Sequence, residues 1–335
     1  MNVFDLTRAL IDLESITGNE LAIGRYLFDR LSELAAVNDG RAESMDVERD
    51  RFNVFVSFGQ PVVTLSTHMD TVPPFIPSRE DTENIWGRGA CDTKGIIASM
   101  ITAAESLLAQ RVRNFGLLFV VGEERNSAGA YAAANVSRGS RFLINGEPTE
   151  NRLAVGSKGA LRYEVFAQGR MAHSAYPELG DSAIDKLLDA LARMRGVPLP
   201  VDSKLGASTF NIGTLQGGRA PNVIADEARA EVMIRLVDDG LALHDAMTKA
   251  AGTQVELREV LRMPAIHLGV LPGFATTVVA YTTDIPAFGG AWGKPFLLGP
   301  GTIHVAHTAE ERVPKAQLLE AVSIYERMVK QLLQQ

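Results

Sequence analysis

The sequence predicts an α/β fold, a doubly wound and mainly parallel sheet, carrying an inserted α+β two-layer sandwich. Across the first half, short continuous apolar runs alternate with segments of helical period, the strand–helix–strand order of a sheet buried on both faces. From about Gly159 apolar and polar residues alternate instead, in the order βαββαβ, which describes a sheet with one face in solvent. A chain of 335 residues exceeds the usual size of one hydrophobic core, so two domains are expected: 158–270 as the insertion, 1–157 with 271–335 as the domain it interrupts.

The N-terminal stretch VFDLTRALIDLESITGNELAIGRYLFDRLSEL spaces apolar residues three and four apart and breaks at Thr17-Gly18-Asn19, which predicts two amphipathic helices. Strands follow at Asn53–Phe58, Val62–Thr67, Leu117–Val121 and Phe142–Ile144, with an alanine-rich helix at Gly95–Gln110 between the second and third. Within the insertion, LRYEVFAQG, STFNIGTLQ, EARAEVMIRLV and QVELREVL read as strands, Ser182–Met194 and Leu241–Ala250 as helices. The chain closes on the amphipathic helix AQLLEAVSIYERMVKQLL, which suits a return to the first domain.

Composition narrows the function. A 46% hydrophobic and 22% charged chain is that of a soluble globular protein. A net charge of -7 without a basic cluster argues against nucleic acid and anionic membrane, leaving a small molecule as the expected partner. The N-terminus is acidic where a signal peptide is basic, and no apolar run reaches the ~20 residues of a membrane span, so a cytoplasmic location is expected. Cys91 is the single cysteine, which leaves any metal to histidines and carboxylates.

Those residue types fall just past strands: His68 and Asp70 after VVTLST, Glu123 and Glu124 after LLFVVG, Glu147 after RFLING. Open α/β sheets bind ligands beyond the carboxyl ends of their strands, so three strand ends would deliver these groups to one rim. Asp70 is close enough to take the second ring N–H of a ligating His68, although a capping Asp beside a loop histidine has the same sequence. Asp92, in GRGACDTKG, reads either as a helix cap or as a carboxylate shared by two cations, with Gly87, Gly89 and Gly95 letting the backbone turn closely. Negative charge on Glu123-Glu124 beside a buried strand is costly without a nearby cation. One of the two glutamates would then ligate and the other exchange a proton with attacking water. His307 would supply a second imidazole, with His304 as its rival. Two imidazoles with three carboxylates are a set zinc accepts, and two divalent ions would leave net positive charge against Asp92, Glu124 and Glu147.

The ordered strings HMDTVPP, GRGACDTKG, GEE, NGEPT, GGRAPNVIAD and AHTAEERV, spread over nearly the whole chain, resemble the co-catalytic zinc amidohydrolase and metallopeptidase family of acetylornithine deacetylase, succinyl-diaminopimelate desuccinylase, aminoacylase and glutamate carboxypeptidase. The resemblance implies a zinc-exopeptidase-like catalytic domain whose inserted lid forms a homodimer. It implies two divalent ions, zinc first and cobalt or manganese as alternatives. His68 and Glu147 would hold one ion, Glu124 and His307 the other, with Asp92 between them, Glu123 as general base and Asp70 orienting His68. By the same resemblance His173, in AHSAYPELG, reaches the partner subunit's site to stabilise the oxyanion, and Asn222 and Arg235 contact the substrate. EERNSAGA departs from the more usual acidic, glycine-rich sequence after the paired glutamates. A glutamate at 147 resembles the deacylases and glutamate carboxypeptidase, which implies an N-acyl amino-acid deacylase of amino-acid biosynthesis. The alternatives are a dipeptidase or carboxypeptidase and, from another class, an inactive metal- or amino-acid-binding homologue.

Overall fold

The computed structural model describes residues 1–335 and divides into two compact units. The larger comprises Met1–Val155, Leu268–Thr277 and Thr283–Gln335; the smaller comprises Gly156–His267 and Val278–Thr282. The chain thus returns to the larger unit at 268 rather than 271, and a second short segment belongs with the insertion.

The larger unit is built on a six-stranded sheet in the order Arg41–Glu48, Arg51–Phe58, Phe115–Val120, Val63–His68, Phe142–Asn145, Lys294–Leu297. Val63–His68 runs parallel to both its neighbours, and Lys294–Leu297 parallel to Phe142–Asn145; the two outer strands at the other edge are antiparallel. Successive side chains of the central strands enter different cores. Leu117, Phe119 and Val121 pack with the helices Val3–Ile11, Leu21–Ala36, Gly95–Ala109 and Lys315–Leu332. Leu118 and Val120 pack on the other face with Ala130, Ala133, Phe288 and Trp292. Burial on both faces is what a continuous apolar strand requires. Trp292 is fully buried because its indole N–H donates to the Ala133 carbonyl at 2.9 Å and its ring meets Phe55 edge-on.

Local signals set the helix starts. The Asn2 side chain accepts the N–H groups of Phe4 and Asp5, capping the first helix. Gly18, at φ 99°, turns the chain before the second. Glu20 precedes that second helix, and its buried carboxylate takes both Arg51 Nη2 at 2.6 Å and Nε at 2.8 Å.

The smaller unit is a four-stranded antiparallel sheet in the order Thr209–Gly217, Glu227–Leu236, Gly159–Gln168, Glu256–Met263. Its buried residues alternate with exposed ones, and helices Ala183–Arg195 and Leu241–Ala251 cover one face. Ser182 is the cap of the first of these helices rather than its first turn, its hydroxyl accepting Asp185 N–H. No helix in either unit is long and apolar enough to cross a membrane.

Candidate metal centre

Three parallel strands end at one rim of the larger unit. Val63–His68 ends on His68, Phe115–Val120 leads through Val121 and Gly122 into Glu123 and Glu124, and Phe142–Asn145 leads through Gly146 into Glu147. Asp92 sits in the turn before Gly95–Ala109, with non-helical φ and ψ. Lys94 occupies the cap position of that helix, which sets aside the alternative reading of Asp92 as its cap.

The side chains converge. Ligand atoms of His68, Asp92 and Glu124 lie within 4.8 Å of one another. His68 Nε2 is 3.1 Å from Asp92 Oδ1, and His307 Nε2 is 3.1 Å from Asp92 Oδ2 and 3.0 Å from Glu124 Oε2. Asp92 therefore faces one imidazole with each oxygen. Glu147 is buried at 4% exposure, and its Oε1 has no hydrogen-bond partner. His307 lies in the left-handed region at φ 63°, and both it and His304 are exposed.

Around His68 the geometry orients the ring. Nδ1 is 2.9 Å from the Asp70 main-chain oxygen, which can only accept, so Nδ1 carries hydrogen and Nε2 faces Asp92. The Asp70 carboxylate stands farther from Nδ1, at 3.5 Å. Its Oδ1 accepts the N–H groups of Gly122 and Glu123, and its Oδ2 accepts Glu124 N–H and the Thr17 hydroxyl. Asp70 thus binds the glutamate turn as well as the histidine.

The electrostatics are those of a carboxylate cluster short of positive charge. Burial raises Glu147 and Glu123 well above the ordinary carboxyl range, and repulsion from Asp92 and Asp284 adds to it in both. Glu124 is raised by burial and by Asp92, although His307 works against this. His307 is pushed up to about 10 by its contacts with Asp92 and Glu124. Burial opposes charge on His68, but hydrogen bonds to Asp70 and Asp92 outweigh it and hold the ring well above its usual value. Asp92, despite burial, is held far below its usual value by the two histidines. An orphaned buried carboxylate oxygen and nitrogen–oxygen donors converging on one place fit divalent cations of the zinc kind.

Two parts of this centre went unremarked in the sequence. Asp284 is 2% exposed with neither oxygen in a hydrogen bond of ordinary geometry, and burial pushes it up to about 7, with Ser127 only partly offsetting this. The other part is the buried pair Arg88 and Glu311, whose ions meet at 2.6 Å. Of the remaining expected residues, His173 and Asn222 lie side by side in the smaller unit, Ser174 N–H donating to the Asn222 carbonyl at 3.0 Å. Arg235 is half-buried on the strand Glu227–Leu236, opposite Thr209, and burial lowers its pKa.

Comparison with known proteins identifies the family. Residues 64–331 match the model of peptidase family M20/M25/M40. A peptidase M20 domain-containing protein of Schizosaccharomyces pombe is 39% identical, covering 98% of this chain and 84% of its own length. A probable carboxypeptidase of Aspergillus fumigatus is 37% identical over 96% of this chain and 84% of its own. Among solved structures, a tripeptidase from Staphylococcus aureus superposes with a TM-score of 0.84 at 21% identity, over 100% of this chain and 98% of that one, and so shares the fold. The chain belongs to peptidase family M20/M25/M40, and its place among the metal-dependent peptide hydrolases follows from that membership.

Proposed function

We propose that this protein is a two-metal exopeptidase that cleaves the amide bond beside a free carboxylate in a dipeptide or short peptide. The observation that carries the reading is the convergence of His68, Asp92, Glu124 and His307, with the orphaned Glu147 carboxylate at a neighbouring strand end. His68 and Glu147 would hold one ion and Glu124 and His307 the other, with Asp92 available to both. Zinc is the first candidate, with cobalt and manganese as alternatives. The ions, when bound, supply Lewis acidity to the scissile carbonyl and make water a better nucleophile.

Glu123 is the general base in this reading. Burial gives its carboxyl a raised proton affinity, which suits taking a proton from water and handing it to the departing nitrogen. Asp70 holds Glu123 by its main chain and His68 through its own carbonyl. In the smaller unit His173 serves as the oxyanion contact, Asn222 and Arg235 as substrate contacts, and the unit itself as a lid and the face of a homodimer. The adjacency of His173 to Asn222 supports their acting on one substrate.

The names of the curated relatives favour peptides over acyl amino acids. A second reading, the N-acyl amino-acid deacylase, is favoured by the glutamate at position 147. A panel of dipeptides, tripeptides, and N-acetyl and N-succinyl amino acids, assayed with zinc, cobalt and manganese, separates the two. Hydrolysis confined to peptides is expected, and hydrolysis confined to acyl amino acids selects the deacylase. Tight binding without hydrolysis of any, by protein holding two ions, overturns both.

A further inference from the structure

Arg88 and Glu311 are 2% and 1% exposed, and neither belongs to the proposed ligand set. Their contacts reach both sides of it. Glu311 Oε2 takes Arg88 Nη1 at 2.6 Å, while Oε1 accepts the N–H groups of Cys91 and Asp92, each at 3.3 Å. The Glu311 main-chain oxygen accepts Gly87 N–H at 3.1 Å, so this one residue binds the start and the end of the turn that presents Asp92. Arg88 in turn donates from Nη1 to the carbonyl of Thr308, next to His307, at 3.3 Å, and from Nε to Pro74 at 3.2 Å.

The turn has little room to settle elsewhere. A Cβ on Gly301 would lie 2.4 Å from the Cβ of Cys91, so the backbone of 301–302 presses directly on the residue before Asp92. Cys91 Sγ also points at the Thr302 carbonyl, 3.7 Å away.

We infer that the buried Arg88–Glu311 pair is a positioning device which sets Asp92 against His307, and thereby shapes the ion site that those two residues would form with Glu124. The inference rests on the two-metal reading above. A pair serving only to anchor a surface turn would not need to bond the Asp92 amide and the His307 segment together. Breaking a buried pair always costs stability, so loss of stability alone does not identify this role.

The test is zinc titration of the chelator-stripped chain against a competing chromophoric chelator, with kcat and KM measured at saturating zinc. Glu311→Gln keeps an oxygen for the two N–H groups but loses the charge facing Arg88, and Arg88→Lys keeps the charge but loses the fork. In each, zinc affinity should fall about 10–100-fold, the range seen when groups supporting a metal ligand are removed. At saturating zinc, kcat should fall with KM little changed. If Glu311→Ala does not fold, the two conservative variants carry the test. Zinc affinity equal to wild type in folded Glu311→Gln and Arg88→Lys overturns the inference, whatever their melting temperatures. Fewer than two zinc ions bound by the wild-type chain overturns the two-metal reading instead.

Discussion

The Asp70 carboxylate accepts the main-chain N–H of Glu123 at 3.1 Å, so the side chain beside one proposed ligand holds the backbone of the proposed base. Asp70→Asn replaces one accepting oxygen with an N–H donor facing N–H groups. The glutamate turn should loosen, with kcat falling by about 10–100-fold. Steady-state kinetics alongside metal analysis checks this. Full kcat in Asp70→Asn would show that the turn holds its shape unaided.

Glu123→Gln removes a proton acceptor and leaves the proposed ligands in place. A general base typically contributes about 10²–10⁴-fold, so kcat should drop within that range while zinc stoichiometry stays at two per chain. Turnover near wild type in the zinc-loaded variant would transfer the role to another carboxylate, and Asp284 is then the next to test.

The stability that metal adds should grow with pH. Asp284 rises from 3.8 to about 7 through burial, and His307 from 6.5 to about 10 through Asp92 and Glu124. A group that holds its proton more tightly when folded stabilises fully below its unfolded pKa, and that contribution is lost as pH rises through the folded value. The metal-free protein therefore loses stability across both windows as pH climbs. Metal displaces protons and binds better at higher pH. Thermal unfolding from about pH 5 to pH 9 should show the gap between zinc-loaded and chelated protein widening. A constant gap would contradict the ligand set.

Arg51→Met strips the partner from Glu20, whose side chain is 0% exposed. An uncompensated buried charge of this kind costs about 3–5 kcal/mol. Denaturant unfolding should place the variant near the lower end, since Glu20 retains the Gly18 N–H. An unchanged midpoint would mean that Glu20 becomes neutral at little cost.

The central strands and long helices were legible because their apolar residues are contiguous or periodic, while the outer strands were not. Arg41–Glu48 buries only Met45, so a polar edge strand left no apolar signal. Lys294–Leu297 is four residues long and contains a proline, which its position at the sheet edge tolerates. In the candidate metal centre, the carboxylates that follow strands stood out in the sequence. Asp284 did not, because it lies in an irregular segment and its burial arises only from tertiary packing. Arg88 and Glu311 are 223 residues apart, and nothing in either local sequence points to the other.

Every residue of the proposed ion cluster, and the Arg88–Glu311 pair behind it, belongs to the larger unit, while His173, Asn222 and Arg235 belong to the smaller. On the proposed reading the gene therefore writes the ion ligands and the base in one set of codons and the oxyanion and substrate contacts in another. An exchange of codons 156–267 with those of a relative would then leave the ion ligands untouched and put the oxyanion and substrate contacts in play together.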